Sequence, residues 1–238
     1  MNYIVTGLTE KYWKPWGASW LASLLELAET KSNIVIIDFG LKNCTKEKIK
    51  NHNVILFEAE KKHLGRNSAL NTICKLAKEV DGNFVYYDAD VWFQDKIDDV
   101  FDFIEDKILI CENRNFGFIA GNQKSWQNYE IVNNITDAMK DEAKTECLLK
   151  YFDNSLKFIE NKYNCINLSD LTDDKILKYR GNAIAALHPT GTLKRLLAKR
   201  HLFFAERYPD LFSKYIDEKK VGIPKRLFKK SKTNSESP

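Results

Sequence analysis

The stretch FVYYDADVWF, residues 84–93, dominates the interpretation of this chain. Bulky apolar residues run into Asp88-Ala89-Asp90 and resume at once, a pattern typical of a buried strand that ends in two carboxylates. In an extended segment residues i and i+2 lie on one face, so Asp88 and Asp90 should point the same way. Two anions held that close repel each other unless a proton or a cation lies between them.

The acidic pair has two interpretations. Carboxylates at a strand end can simply leave the core for solvent, or cap a helix. The large apolar residues on both sides favour a pair inside the fold, and therefore a metal site. Oxygen ligands suit Mg²⁺ or Mn²⁺ better than zinc, and such cations commonly bridge protein carboxylates to substrate phosphates. The hypothesis that follows is a site for a divalent cation and a diphosphate.

Strand-like and helix-like segments alternate through the first half of the chain. The predicted strands are 2–7, 33–40, 53–60 and 83–87. Apolar residues recur at helical spacing between them, most clearly in 65–82. This alternation predicts a mostly parallel sheet covered by helices on both sides. Ligands of such sheets lie at the carboxyl ends of the strands, which is where the acidic pair falls.

The second half has a looser pattern. Segments 96–106, 126–143 and 146–160 look helical, whereas 107–112 and 182–189 look like further strands. No internal repeat and no linker divides the chain. We therefore predict one α/β domain over residues 1–216, followed by a basic, disordered tail over residues 217–238.

Composition excludes several classes of protein. The chain has 238 residues, 44% of them hydrophobic and 29% charged, as in ordinary globular proteins. Its net charge of +4 is concentrated in the tail, which argues against a nucleic-acid partner. The tail is either simply solvated or contacts an anionic membrane surface. Five scattered cysteines, no CxxC pair, no signal peptide and no long apolar run predict a cytoplasmic protein.

A second constellation lies in LHPTGTLKR, residues 187–195. His188 leaves a short apolar strand, Gly191 would let backbone approach a phosphate, and Lys194 supplies a point charge. Taken alone this pattern is weak, since a single histidine at a strand end is more often structural. Combined with the acidic pair earlier in the chain, it becomes more specific.

YYDADV followed late in the chain by HPTGTLK resembles the nucleotide-diphospho-sugar transferases of the GT-A fold. The nearest resemblance is to glycosyltransferase family 8, the glycogenin and bacterial lipopolysaccharide galactosyltransferase group. Further matching segments occur in the family's order: IIDFGL (36–41), Arg66, NFGFIAGNQKSW (115–126), TECLLKYF (145–152) and KYNC (162–165). The resemblance runs from Asn2 to about Arg195. It implies a GT-A-like single domain that transfers a hexose from a UDP-sugar to a glycan or lipid-linked glycan acceptor, with retention of anomeric configuration.

The resemblance also implies roles for individual residues. Asp88, Asp90 and His188 would bind Mn²⁺ or Mg²⁺. The implied substrate contacts are Thr6, Gly7 and Tyr12 at the base, Asp88 at the ribose, Gly191 and Lys194 at the diphosphate, Asn115 and Gly117 at the donor sugar, and Arg66 between sugar and acidic pair. The implied catalytic residues are Asp90, Arg66 and Glu146.

Two departures from the family pattern bear on catalysis. The family's Lys-Pro-Trp appears here as Lys194-Arg195-Leu196. Thr145 stands where the family carries a glutamine beneath the sugar, which leaves Glu146 as the nearest carboxylate. An exposed glutamate on a helix is as often just a solvated residue.

Two other functions are open. A haloacid-dehalogenase-like phosphatase would use Asp88 as nucleophile and Asp173-Asp174 as its late acidic pair. Its motif normally follows the first strand, whereas three strand-like segments precede Asp88 here. A sugar-nucleotide-binding module without turnover is the non-enzymatic alternative.

Overall fold

The structure, a computed structural model, describes residues 1–59, 66–129, 155–166, 178–179, 182–183 and 185–188. The strands are β1 Asn2–Leu8, β2 Asn33–Asp38, β3 Ile55–Glu58, β4 Asn83–Tyr87, β5 Trp92–Phe93, β6 Ile108–Cys111, β7 Phe118–Asn122, β8 Leu156–Ile159, β9 Lys178–Tyr179, β10 Asn182–Ala183 and β11 Ala186–Leu187. The α-helices are α1 Glu10–Tyr12, α2 Ala18–Glu26, α3 Asn43–Lys50, α4 Arg66–Glu79 and α5 Gln123–Tyr129. A π-helical turn covers Trp13–Gly17, and 3₁₀ turns cover Asp98–Phe103 and Asn161–Tyr163.

A seven-stranded sheet with the order β3-β2-β1-β4-β7-β6-β8 forms the centre of the described part of the chain. Strands β3, β2, β1 and β4 pair in parallel, and so do β6 and β8. Strand β7 is antiparallel to both of its neighbours. The predicted mostly parallel α/β sheet is therefore confirmed.

Both faces of this sheet are buried at its inner strands. Along β4, Val85 and Tyr87 belong to a core that includes residues of α2, whereas Phe84 and Tyr86 belong to a second core that includes residues of α4. Burial on both sides explains why the strands appear in the sequence as nearly continuous apolar runs. The predicted helices on the two sides of the sheet are confirmed for α2 and α4.

The second half of the chain differs from its prediction in four places. The predicted helix over 96–106 is only a 3₁₀ turn over Asp98–Phe103. Residues 156–159 form strand β8, not a helix, because they pair in parallel with β6 along the sheet. Strand β7 was not predicted at all. The predicted strand over 182–189 is split into β10 and β11, which pair with different partners. Periodicity within one segment could not reveal these pairings, because it carries no information about which other strand the segment meets.

The described residues test other predictions only in part. The predicted helix over 126–143 is described only as far as Tyr129, the end of α5. None of the described helices is both long and apolar enough to cross a membrane. Cys44, Cys74, Cys111 and Cys165 form no disulfide bond. The boundary at residue 216 and the tail lie outside the described residues.

Candidate metal site

The turn between β4 and β5 carries the acidic pair. The Asp88 N–H donates to the Gly117 carbonyl at 2.8 Å, and the Val91 N–H donates to the Asp88 carbonyl at 3.1 Å. These hydrogen bonds form a tight turn that leads directly into β5. The Asp88 and Asp90 side chains are only 17% and 10% exposed, so the pair lies within the fold and not in open solvent.

His188 is brought to the acidic pair by a second, very short sheet. Strand β5 pairs antiparallel with β11, placing Trp92 opposite Leu187. His188 follows Leu187 directly and is 2% exposed. Its Nε2 lies 3.2 Å from Asp90 Oδ1 and 3.7 Å from Asp88 Oδ2. One ligand atom from each of the three residues lies within 4.8 Å of the others.

The other ring nitrogen of His188 has a fixed partner. His188 Nδ1 lies 3.1 Å from Asn164 Oδ1. The Asn164 amide is oriented by its Nδ2, which donates to the Asn115 carbonyl at 3.1 Å and approaches Asn115 Oδ1 at 3.3 Å. A carbonyl can only accept, so Asn164 Oδ1 is the atom left for the ring, and His188 Nδ1 is the donor. Nε2 therefore faces the two carboxylates across a gap that holds either a proton or a cation.

These three groups fit a divalent cation. Neighbouring ligands that each lie about 2.1 Å from an octahedral ion are about 3.0 Å from one another. His188 Nε2 lies 3.2 Å from Asp90 Oδ1 and 3.7 Å from Asp88 Oδ2, which is close to that spacing. Two carboxylates and one imidazole together form a donor set that several divalent cations accept. The ligand set that the sequence predicted is thus brought together by the fold.

Gly117 supports both halves of this cluster. A Cβ built on Gly117 would lie 2.1 Å from His188 Cε1 and 2.2 Å from Nδ1, so only glycine leaves room for the ring. Its carbonyl accepts from the Asp88 N–H, and its own N–H donates to Asn115 Oδ1 at 2.7 Å. Asn115 and Gly117 were predicted to lie beside the donor sugar. In the structure Gly117 contacts Asp88, and Asn115 contacts Asn164, the residue that contacts His188.

Two supporting residues were missed by the sequence reasoning. The Tyr86 hydroxyl donates to Asp88 Oδ1 at 2.8 Å. The i, i+2 rule that joined Asp88 to Asp90 could have found Tyr86 as well. Asn164 was noted only as part of KYNC and had no role. The recurrence of asparagine in NRN and KYNC was the available signal.

The residues predicted at the base lie at or near the carboxyl end of β1, next to β4. Thr6 is fully buried, and a Cβ on Gly7 would lie 2.8 Å from the Phe39 ring. Tyr12, in α1, is 41% exposed. Tyr12 is the aromatic residue among these three, and it is also the most exposed of them. Contact with a base stays a prediction for all three.

The remaining predicted residues are not described in side-chain detail. Arg66 is the first residue of α4, and its side chain is outside the described part. Glu146, Gly191 and Lys194 lie outside the described residues, as do Thr145 and Asp173-Asp174. Their roles stay predictions.

No protein-family model and no curated protein matches this chain. Solved structures do match. The galactosyltransferase LgtC, in complex with donor and acceptor sugar analogues, has a TM-score of 0.61 at 16% identity, covering 95% of this chain and 98% of LgtC. The glycosyltransferase GlyE of Streptococcus pneumoniae TIGR4 has a TM-score of 0.57 at 14% identity, covering 91% of this chain and 65% of GlyE. Mouse xyloside xylosyltransferase 1 has a TM-score of 0.52 at 11% identity, covering 82% and 99%. The chain therefore has the fold of these glycosyltransferases, and the predicted GT-A-like fold is confirmed.

Proposed function

We propose that this chain is a metal-dependent glycosyltransferase that moves a hexose from a UDP-sugar to a glycan acceptor with retention of anomeric configuration. The observation that carries the proposal is the meeting of Asp88, Asp90 and His188 at the carboxyl edge of the sheet. The fold adds support, because the similar proteins LgtC and GlyE are glycosyltransferases.

The electrostatics of the cluster favour a ligand site over a purely structural contact. Two carboxylates with low exposure cost free energy through desolvation and mutual repulsion. A structural turn could use asparagine or serine at both positions without that cost. The carboxyl edge of an open α/β sheet is also where ligands of such folds bind.

The residues around the cluster would divide the work of the reaction. Bound by Asp88, Asp90 and His188, Mn²⁺ or Mg²⁺ would supply positive charge to the departing diphosphate. Lys194 and the backbone at Gly191 would hold the same diphosphate. Tyr12 would stack on the uracil ring. Arg66 and Glu146 would lie beside the sugar, whose reacting carbon becomes oxocarbenium-like as the bond breaks.

The proposed acceptor and cellular location rest on features of the sequence and on its family resemblance. We place the enzyme in the cytoplasm, acting on a glycan or lipid-linked glycan. The basic residues of 217–238 would contact anionic lipid at about 1 kcal/mol per Lys or Arg. Vesicle co-sedimentation of the full chain and of a chain ending at residue 216 tests this contact.

UDP release from a panel of UDP-sugars, with Mn²⁺ and then with EDTA, tests the proposed reaction. Donor hydrolysis needs no acceptor, so the acceptor can stay unidentified. We expect release from one UDP-sugar, abolished by EDTA. Release that EDTA does not affect would remove the metal from the proposal.

The same assay separates the alternatives. A silent panel with cleavage of p-nitrophenyl phosphate would indicate the phosphatase. The phosphatase motif normally follows the first strand, however, whereas here it would follow β4, the fourth strand of the chain. UDP binding without release, even when glycan acceptors are supplied, would indicate a binding module.

A further inference from the structure

Four asparagines form a connected cluster behind His188. We name Asn113, Asn115, Asn161 and Asn164 the asparagine cluster. Asn113 Nδ2 donates to the Asn164 carbonyl at 2.5 Å, and the Asn113 N–H donates to Asn161 Oδ1 at 2.8 Å. The Asn115 N–H donates to Asn113 Oδ1 at 3.0 Å. The cluster thus ties the turn after β6 to the segment after β8.

Asn164 is the member that touches His188. It is fully buried, and its Nδ2 donates to Asn115 on one side. Its Oδ1 accepts from His188 Nδ1 on the other side. Backbone bonds reinforce this register, since the His188 N–H donates to the Cys165 carbonyl at 2.8 Å, one residue beyond Asn164.

We propose that Asn164 is a positioning residue for the metal site. It holds the proton of the neutral imidazole on Nδ1, and so presents the Nε2 lone pair to the ion. The inference rests on the proposed function, because it concerns the metal of the same site. It adds a residue outside the predicted ligand set.

The physical reason is that a histidine ligates through one nitrogen only when the other carries the proton. The hydrogen bond at the second nitrogen decides which tautomer forms. Partners of this kind typically change metal affinity by about 10- to 100-fold when removed. Gly117 packs against the same edge of the ring and limits other orientations. The ring thus has one orientation and one tautomer that suit the ion.

The test compares Asn164→Leu, which keeps the size but removes the acceptor, with Asn164→Asp, which keeps an acceptor oxygen. Asn164→Ser, too short to reach the ring, replaces the leucine variant if that one does not fold. The matched control is Asn122→Ala. Asn122 also accepts through Oδ1, from Ser125, and donates through Nδ2, to Asp106, but it ends β7 at the opposite edge of the sheet.

Two readouts on the full chain are needed, neither of which is enzymatic activity. The first is the ¹⁵N spectrum of the histidine rings without metal at pH 8, with His188 assigned from its absence in His188→Gln. We expect the Nδ1–H tautomer in the wild type and in Asn164→Asp, and a change to the Nε2–H form in Asn164→Leu. The second is the Mn²⁺ dissociation constant from electron paramagnetic resonance, with UDP present.

We expect Asn164→Leu to weaken Mn²⁺ binding by about 10- to 100-fold, with Asn164→Asp much closer to the wild type. The control should lose stability and keep its Mn²⁺ affinity. An Nε2–H tautomer in the wild type, or Mn²⁺ affinity unchanged in Asn164→Leu, would overturn the inference while leaving the proposed function standing. A wild type that binds no Mn²⁺ when UDP is present would overturn the proposed function, and this inference with it.

Discussion

Strands β2 and β4 flank β1 and run in the same direction. Each has an aspartate at its carboxyl end, so both aspartates lie at one edge of the sheet. Asp38 ends β2, and its Oδ1 accepts the N–H groups of Gly40 at 2.8 Å and Leu41 at 2.6 Å. Its other oxygen pairs with Lys46 of α3. Every one of these partners lies within eight residues of Asp38.

The carboxylates after β4 are arranged differently. Asp88 and Asp90 face the imidazole of His188, which comes from a distant part of the chain. Gly40, with a φ of 111°, allows the turn that satisfies Asp38 locally. At β4 the charges converge on a point where a cation fits. The same residue type at the same edge thus serves a structural turn after β2 and forms part of a candidate metal site after β4.

The largest expected effect comes from Asp90→Asn. Loss of one ligand oxygen should reduce Mn²⁺-dependent UDP release by about 100-fold or more, equal to about 2.7 kcal/mol. The urea midpoint should stay the same or rise, because repulsion between the two carboxylates is relieved. Asp81→Asn makes the same charge change at an exposed residue before β4 and should alter neither quantity. UDP binding with unchanged metal dependence in Asp90→Asn would show that the metal site is wrong.

Asp38→Ala should show the opposite pattern. It leaves the N–H groups of Gly40 and Leu41 without their acceptor, and should lower the free energy of unfolding by about 2 kcal/mol. Urea titration measures this loss. Lys46→Met removes only the partly exposed cation and should cost less. A loss of UDP release per folded molecule in Asp38→Ala, without a loss of stability, would contradict the structural role.

Gly117→Ala should weaken the site without removing a ligand. The new Cβ would collide with the His188 ring, so we expect a loss of Mn²⁺ affinity of about tenfold, about 1.4 kcal/mol. Gly121→Ala in β7 is the matched control, since its Cβ would meet the end of the Ile108 side chain at 3.0 Å and Ser125 Cβ at 3.1 Å, contacts that need a shift of only a few tenths of an ångström. Equal losses in the two variants would indicate general damage to the strand and not displacement of the ring.

The smallest expected effect is a pH dependence at Asp38. Burial acts to raise the pKa of this carboxyl, but the Lys46 ammonium and the N–H groups of Leu41 and Gly40 outweigh it and hold the pKa below its ordinary 3.8. The ionised group therefore adds stability above pH 3.8, and that contribution is lost as the pH falls through the lower folded-state value. The stability difference between wild type and Asp38→Asn should be constant at neutral pH and shrink below pH 3.8. A difference that grows on acidification would contradict this sign.

Local pattern predicted the parts of the fold that depend on local interactions. Strands β1 to β4 and helix α4 were predicted because each is a contiguous apolar or periodic segment. The sequence predicted that Asp88 and Asp90 converge as i and i+2 of a strand, whereas in the structure the turn after β4 brings them together. Strands β7 and β8 could not be predicted in the same way, because each is a strand through pairing with other segments, β7 with β4 and β6, and β8 with β6. The segment 146–160, which contains β8, even carries a spacing that favours a helix when it is considered alone.

The sequence by itself determined the class of fold and the acidic pair, because both depend on residue type and short-range spacing, and its resemblance to a known family implied His188 as the third ligand. Only the tertiary structure decided that His188 meets the pair through β5 and β11, and that Gly117 leaves room for its ring. The same is true of Asn164, whose bond to Nδ1 sets the direction of Nε2. Hydrogen bonds between segments far apart in the chain depend on distances of a few tenths of an ångström, and no one-dimensional pattern contains those distances.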